Sequence, residues 1–145
     1  MQVQPGRMFI GRFTNGADLL LSLTRFCQKE QIRLGAFSAI GALTGVNLGY
    51  YDQDAKKYVN CRTLDKKLEI TSCSGNISMM DGEIFVHAHI CLADHQGTAY
   101  GGHLMPGSTI FAVEYCFREL CGGELERIHE PITGLRLWAD LEPPG

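Results

Sequence analysis

The sequence predicts an α+β domain, with one amphipathic helix near the N-terminus and a succession of mostly antiparallel strands after it. Three observations carry that expectation. Apolar residues recur at helical spacing from Leu19 to Cys27, whereas later runs alternate at period two. Turn-forming pairs such as Asp81-Gly82 punctuate those later runs. The 145 residues, 45% apolar and 20% charged, fit a single globular domain spanning 1–145 that buries a core without staples.

Taken in order, Met8-Phe9-Ile10 reads as a short first strand, closed by Gly11 and the turn-prone Thr14-Asn15-Gly16. Asn15 is the expected helix cap, and Asp18 suits the positive first turn. Leu19, Leu20, Leu23, Phe26 and Cys27 form the stripe that packs on the core. From Ala36 the pattern changes, and Gly41, Gly45 and Gly49 stand among small and β-branched residues. No phosphate-loop pattern surrounds them, so the reading is two strands with glycines at turns or close backbone approaches. Asp52 to Lys57 is a polar hairpin turn, and Tyr58-Val59 begins the return strand. A further strand starts at Leu68-Glu69-Ile70-Thr71 and runs into Ser74 to Ser78. Thr109 to Leu120 fits strand or helix, and its β-branched and aromatic content favours strand. Short pieces follow at Leu125 to Ile128 and Leu135 to Trp138, and Glu142-Pro143-Pro144-Gly145 reads as a loose tail.

The chain's histidines concentrate in Ile84 to Leu104. Ile84, Val86, Ala88, Ile90 and Leu92 alternate as the buried face of a strand, which leaves Phe85, His87, His89 and Cys91 on the other face. Side chains at i and i+2 stand roughly 7 Å apart, close enough for two imidazoles to lean onto one ion. Asp94-His95-Gln96-Gly97 fits a three-residue hairpin loop with Gly97 left-handed. That register sets Asp94 opposite Thr98 and His103 opposite His89, on the face of His87, with the small Ala99 and Gly101 beside them. A two-residue loop would slip the register by one and turn His103 away. His95 falls in the turn as a solvated residue, and His129 has no spacing that ties it to the others.

Formal net charge is -3 without a basic run, which argues against binding a polyanion by charge alone. No apolar run approaches the roughly 20 residues of a membrane span. The opening residues lack a signal-peptide pattern. Cys27, Cys61, Cys73, Cys91, Cys116 and Cys121 form neither a C-x-x-C pair nor a disulfide framework, so reduced thiols in the cytoplasm are expected.

The succession A-F-S-A-I-G-A-L, L-E-I-T-S-C-S-G-N-I-S, V-H-A-H-I-C-L-A-D and G-G-H-L resembles the PPC domain (plants and prokaryotes conserved) in its stand-alone prokaryotic form, over about residues 5 to 141. The resemblance implies an α+β fold, a homotrimer, and a metal, usually zinc, on the residues matched here by His87, His89 and His103. Plant members are DNA-binding proteins whose contact sits in a separate AT-hook with an R-G-R-P core, and this sequence has no such segment. Acetolactate decarboxylases are similar in architecture and also bind zinc through an H-x-H pair and a later histidine. Fold alone does not carry function.

Three neutral imidazoles suit zinc or another divalent metal, and a three-ligand site leaves a position for water or an exogenous anion. Cys91 shares the face as a possible closing ligand. Glu69 is the first candidate for a general base or a partner to a histidine N–H, and Glu114 the second. Three functions follow as expectations. One is a homotrimeric zinc protein that binds a small anionic ligand in a binding or regulatory role. Another is a zinc-dependent lyase or hydrolase acting on a small oxyacid. The last is a DNA-binding regulator.

Overall fold

A computed structural model describes residues 1–139 of the chain; the expected loose tail from Glu142 lies outside them. The strands are β1 (Gln4–Phe13), β2 (Gly35–Asp52), β3 (Lys57–Leu64), β4 (Leu68–Met80), β5 (Glu83–Ala93), β6 (Ala99–Leu104), β7 (Thr109–Cys121), β8 (Arg127–His129) and β9 (Arg136–Trp138), with one helix, α1 (Leu19–Glu30). Seven strands form one antiparallel sheet in the order β1-β7-β2-β4-β5-β6, with β3 also paired to β2. The sheet curls until β6 meets β2 again, through Leu48 opposite Leu104 and Gly49 opposite His103. A separate small hairpin, β8–β9, follows the sheet. The expected mostly antiparallel α+β fold is therefore the observed one.

The core lies between α1 and the inner face of the sheet. Leu19, Leu23 and Cys27 of the helix are fully buried against Phe37, Ile77, Val86 and Phe117. Phe26 completes the contact by packing its ring on Phe9, Tyr115 and Phe117 at centroid distances of 5.5, 5.0 and 4.7 Å. The first is edge-on and the other two are tilted, so none is the face-to-face stack that aromatic rings avoid.

Three local expectations need correction. The helix cap is Asp18, not Asn15: Asp18 Oδ1 accepts from the Leu21 amide at 2.8 Å, while Asn15 donates its side-chain amide to the Phe111 carbonyl at 2.7 Å. Asp18 Oδ2 also accepts from the amides of Gly107 and Ser108, so one carboxylate ties the helix start to the loop after β6. The first strand continues through Gly11, because the missing side chain there makes room for the Tyr115 ring, whose hydroxyl would stand 2.6 Å from a Cβ. The glycine-rich run from Gly35 is one strand of 18 residues rather than two. Gly41 absorbs the bend at a bulge, with φ +137 and the Ala112 carbonyl oxygen 2.0 Å from where a Cβ would sit.

Candidate metal centre

The hairpin β5–β6 has the loop that the sequence predicts. Gly97 has φ +78, its amide donates to the Asp94 carbonyl at 2.9 Å, and the Asp94 amide donates to the Thr98 carbonyl at 3.1 Å. Register then follows from the turn: Ala93 faces Ala99, Cys91 faces Gly101 and His89 faces His103. His87 and His89 face Asn76 and Ser74 on β4. The apolar alternates Val86, Ala88, Ile90 and Leu92 are buried on the core side, which commits the histidines to the outer face.

The three rings form a nearly equilateral triangle, with centroids 5.1 Å apart for His87–His89, 5.0 Å for His87–His103 and 5.5 Å for His89–His103. Each offers one nitrogen, and these nitrogens all lie within 4.8 Å of one another. The triangle could hold a metal ion, and its polar atoms fit that use. His87 Nε2 and His103 Nδ1 are buried with no hydrogen-bond partner among the described residues. Burial pushes the pKa of His87 down to about 4, helped by the neighbouring His103, Arg127 and His89. Burial does the same to His103, also to about 4, with His89 and Arg127 adding to it. Both imidazoles are thus neutral at pH 7, with lone pairs available to an ion. Tyr58 closes one side, its ring 4.7 Å from that of His103.

The triangle opens on a cavity of about 430 Å³ lined by Tyr51, Tyr58, Phe85, Met105 and Arg127 beside His87 and His103. Arg127 carries a signal that sequence reasoning missed. It is 7% exposed and donates from Nε to Ser78 Oγ at 2.9 Å, from Nη1 to the Arg136 carbonyl at 3.0 Å and from Nη2 to Asn76 Oδ1 at 2.8 Å. The only trace in the sequence is that Leu125 and Arg127 share a period-two face, and both turn out to be buried.

Other expected residues lie elsewhere. Glu69 pairs with Ala93 and Ala42 and lines a different cleft with Lys67, Asp94 and His95. Glu114 faces Arg12 and Ile40 in an outer cleft on β1, β7 and β2. Cys91 is exposed on the histidine face, but its sulfur is not among the atoms that gather there. His95 and His129 are exposed and apart from the cluster.

Fold and site together define a curled antiparallel domain that presents three imidazoles beside a buried guanidinium. The chain belongs to the Plants and Prokaryotes Conserved domain family, whose model matches residues 1–121. A metal-containing protein of Archaeoglobus fulgidus has a similar structure, with 39% identity and a TM-score of 0.90 over 96% of this chain and 97% of that one. A plant- and prokaryote-conserved protein of Pyrococcus horikoshii shares 35% identity at a TM-score of 0.91, over 98% and 97% of the two chains. The bifunctional protein GlmU of a Synechococcus strain is 34% identical over 146 residues, covering 96% of this chain and 22% of its own length. The chain thus spans about a fifth of the length of the curated relatives it matches. A Bacteroides thetaiotaomicron protein provisionally described as DNA-binding, 24% identical with a TM-score of 0.84 over 94% and 96% of the chains, shares the fold.

Proposed function

We propose that the protein is a zinc-binding domain that holds its ion on His87, His89 and His103 and works as a homotrimeric small-ligand-binding or regulatory protein. The observation that carries this reading is the pair of buried imidazole nitrogens, His87 Nε2 and His103 Nδ1, left without partners among the described residues in two rings of the triangle. Buried polar atoms are seldom left unpaired, and an ion that takes both lone pairs removes the penalty. Zinc suits three nitrogen donors, and a three-ligand site keeps a position for an exogenous oxygen. Bound there, zinc would act as a Lewis acid toward that oxygen.

Binding is favoured over turnover by the make-up of the cavity. Its lining among the described residues contains tyrosines, lysines and arginines but no Asp or Glu. Glu69 as a proton carrier would have to reach the ion from another cleft, so a lyase or hydrolase activity ranks below binding. Duplex DNA also ranks below a small ligand, because the buried cation beside the histidines lines a cavity instead of a broad outer face.

Self-association is supported by the outer face of the sheet. Ile10, Cys116, Ser38, Ser74, His89 and His103 form one continuous cross-strand row from β1 to β6. Over its β1–β7–β2 half Met8, Ile10 and Ile40 are exposed by 68%, 83% and 58%. A neighbouring copy packed on that half would shield them and border the metal face. The test is metal content and light scattering on protein purified without added metal. We expect about one zinc per chain in a trimer and loss of the metal in His89→Ala. Wild-type protein free of bound metal after growth with zinc would overturn the reading.

A further inference from the structure

We propose that Arg127 is the anion anchor of this cavity, and that the ligand is a small carboxylate with an apolar body, its charged end between Arg127 and the histidine face. The inference rests on the metal-centre reading for the ion but not for the anchor.

Arg127 is the buried cation for which the described residues supply no carboxylate. Of the other basic side chains in the lining, Lys57 is exposed to solvent, Lys56 Nζ donates to the Pro131 carbonyl at 3.1 Å, and Arg136 Nη1 donates to Asp81 Oδ1 at 2.7 Å. Among the described residues Arg127 meets only neutral acceptors, on Ser78, Asn76 and the Arg136 backbone. A guanidinium carries five N–H donors, so these three bonds leave two without a partner among the described residues. Burying a cation without a counter-charge is unfavourable unless something else supplies the charge. Its place is also fixed. The guanidinium lies 5.2 Å from the Phe85 ring centroid and 5.7 Å from that of Trp138, and its acceptor Asn76 stands directly opposite His87. It is thus pre-set on the edge of the histidine face, in the fork geometry that matches a carboxylate.

The rest of the lining sets the body of the ligand. Met80, Phe85, Met105 and Leu135 present apolar surface, and Tyr51 and Tyr58 add rings that touch each other at 5.0 Å. A volume of about 430 Å³ suits a molecule of modest size. Inorganic phosphate would leave this apolar surface uncovered. The β8–β9 hairpin that brings Arg127 is held over the sheet by the Tyr51 hydroxyl, which donates to the Thr133 carbonyl at 2.8 Å, as well as by the Lys56 and Arg136 contacts. The family match ends at Cys121, before this hairpin begins. The histidines and most of the apolar lining therefore lie in the matched part and the anchor in the segment that follows it, so this segment sets the charge of the ligand that the metal face receives.

The test is calorimetric titration of the zinc-loaded full chain with benzoate, neutral benzamide and inorganic phosphate. Benzoate is expected to bind, with benzamide and phosphate each weaker by at least about tenfold. Arg127→Met is expected to weaken benzoate by at least about tenfold at unchanged zinc content, with Arg127→Lys in between. In wild-type protein the Arg127 Nε–H resonance should shift with benzoate and not with benzamide, a readout that stands even if Arg127→Met fails to fold. An unmoved resonance, equal benzoate affinity in folded Arg127→Met, phosphate preferred over benzoate, or no benzoate binding at millimolar concentration would overturn the proposal. Protein that takes up no zinc yet binds benzoate through Arg127 would sink the metal reading and leave the anchor standing.

Discussion

The two ends of the β5–β6 hairpin gather polar side chains to opposite effect. At the loop end every polar atom of Asp94 is engaged: Oδ2 accepts from Lys66 Nζ at 2.8 Å and the Tyr100 hydroxyl at 2.9 Å, and Oδ1 accepts from the amides of Gln96 and Thr98 at 3.0 Å. Lys66 lies over the Tyr100 ring as well, 4.2 Å from its centroid. At the other end three imidazoles converge and two of their buried nitrogens have no partner among the described residues. A satisfied network stabilises the hairpin by itself, whereas buried polar atoms without partners cost stability until something pairs with them.

Acid separates the two ends most widely. His87 and His103 have pKa values lowered from 6.5 to about 4, so the unfolded chain binds more protons than the folded one between those limits. Stability from this pair is complete above about pH 6.5 in metal-free protein and is lost as pH falls toward 4. The loss amounts to on the order of 1–2 kcal/mol for each histidine after allowance for partial exposure. The Lys66 hydrogen bond holds the Asp94 carboxyl well below the usual range, so the loop end keeps its contribution until the pH drops below about 3.8. Urea melts of metal-free protein at stepped pH should therefore lose stability first between pH 6.5 and 4. In His87→Asn that first loss should be smaller; an unchanged profile would show that the histidines are not the groups titrating.

Replacing Asp94 breaks the loop end alone. Asp94→Ala leaves Lys66 and Tyr100 without their shared acceptor and frees two turn amides. The expected result is a melting temperature lower by several degrees with zinc content unchanged. Loss of zinc in this variant would mean that the two ends are coupled more tightly than their hydrogen bonds imply.

The histidine hairpin was legible in the sequence because two independent patterns agreed. Alternation fixed which face the imidazoles take, and the left-handed Gly97 fixed the loop length and hence the partner of His89. Elsewhere one pattern had several physical solutions. Asn15 and Asp18 are both good caps, and only the position of the loop at Gly107 and Ser108 selects Asp18. The glycines of β2 read equally as turns or as bulges, because local sequence does not show that β7 and β4 flank them. Arg127 was invisible as a site residue, since its role depends on a hairpin folding back over strands about fifty residues earlier in the chain, at Asn76 and Ser78. Glu69 is a candidate in the sequence only as the acidic residue of the preceding strand, which does not fix its distance from the histidines. A register shift between Ile70 and Ser72 and the distance along β4 set it opposite Ala93.

The smallest expected effect isolates the turn itself. A methyl group on Gly97 meets nothing within 4 Å, so Gly97→Ala introduces no clash, only the strain of φ +78 in a residue with a Cβ. That strain is worth about 1 kcal/mol, visible as a shift of the urea midpoint at constant slope. Zinc content should stay at its wild-type level, because the three-residue loop still sets His103 opposite His89. If the substitution instead drove the hairpin to a two-residue loop, every side chain of β6 would change face and His103 would leave the triangle. Zinc would then be lost along with stability. Metal content in this one variant thus separates strain at a turn from a slip in register.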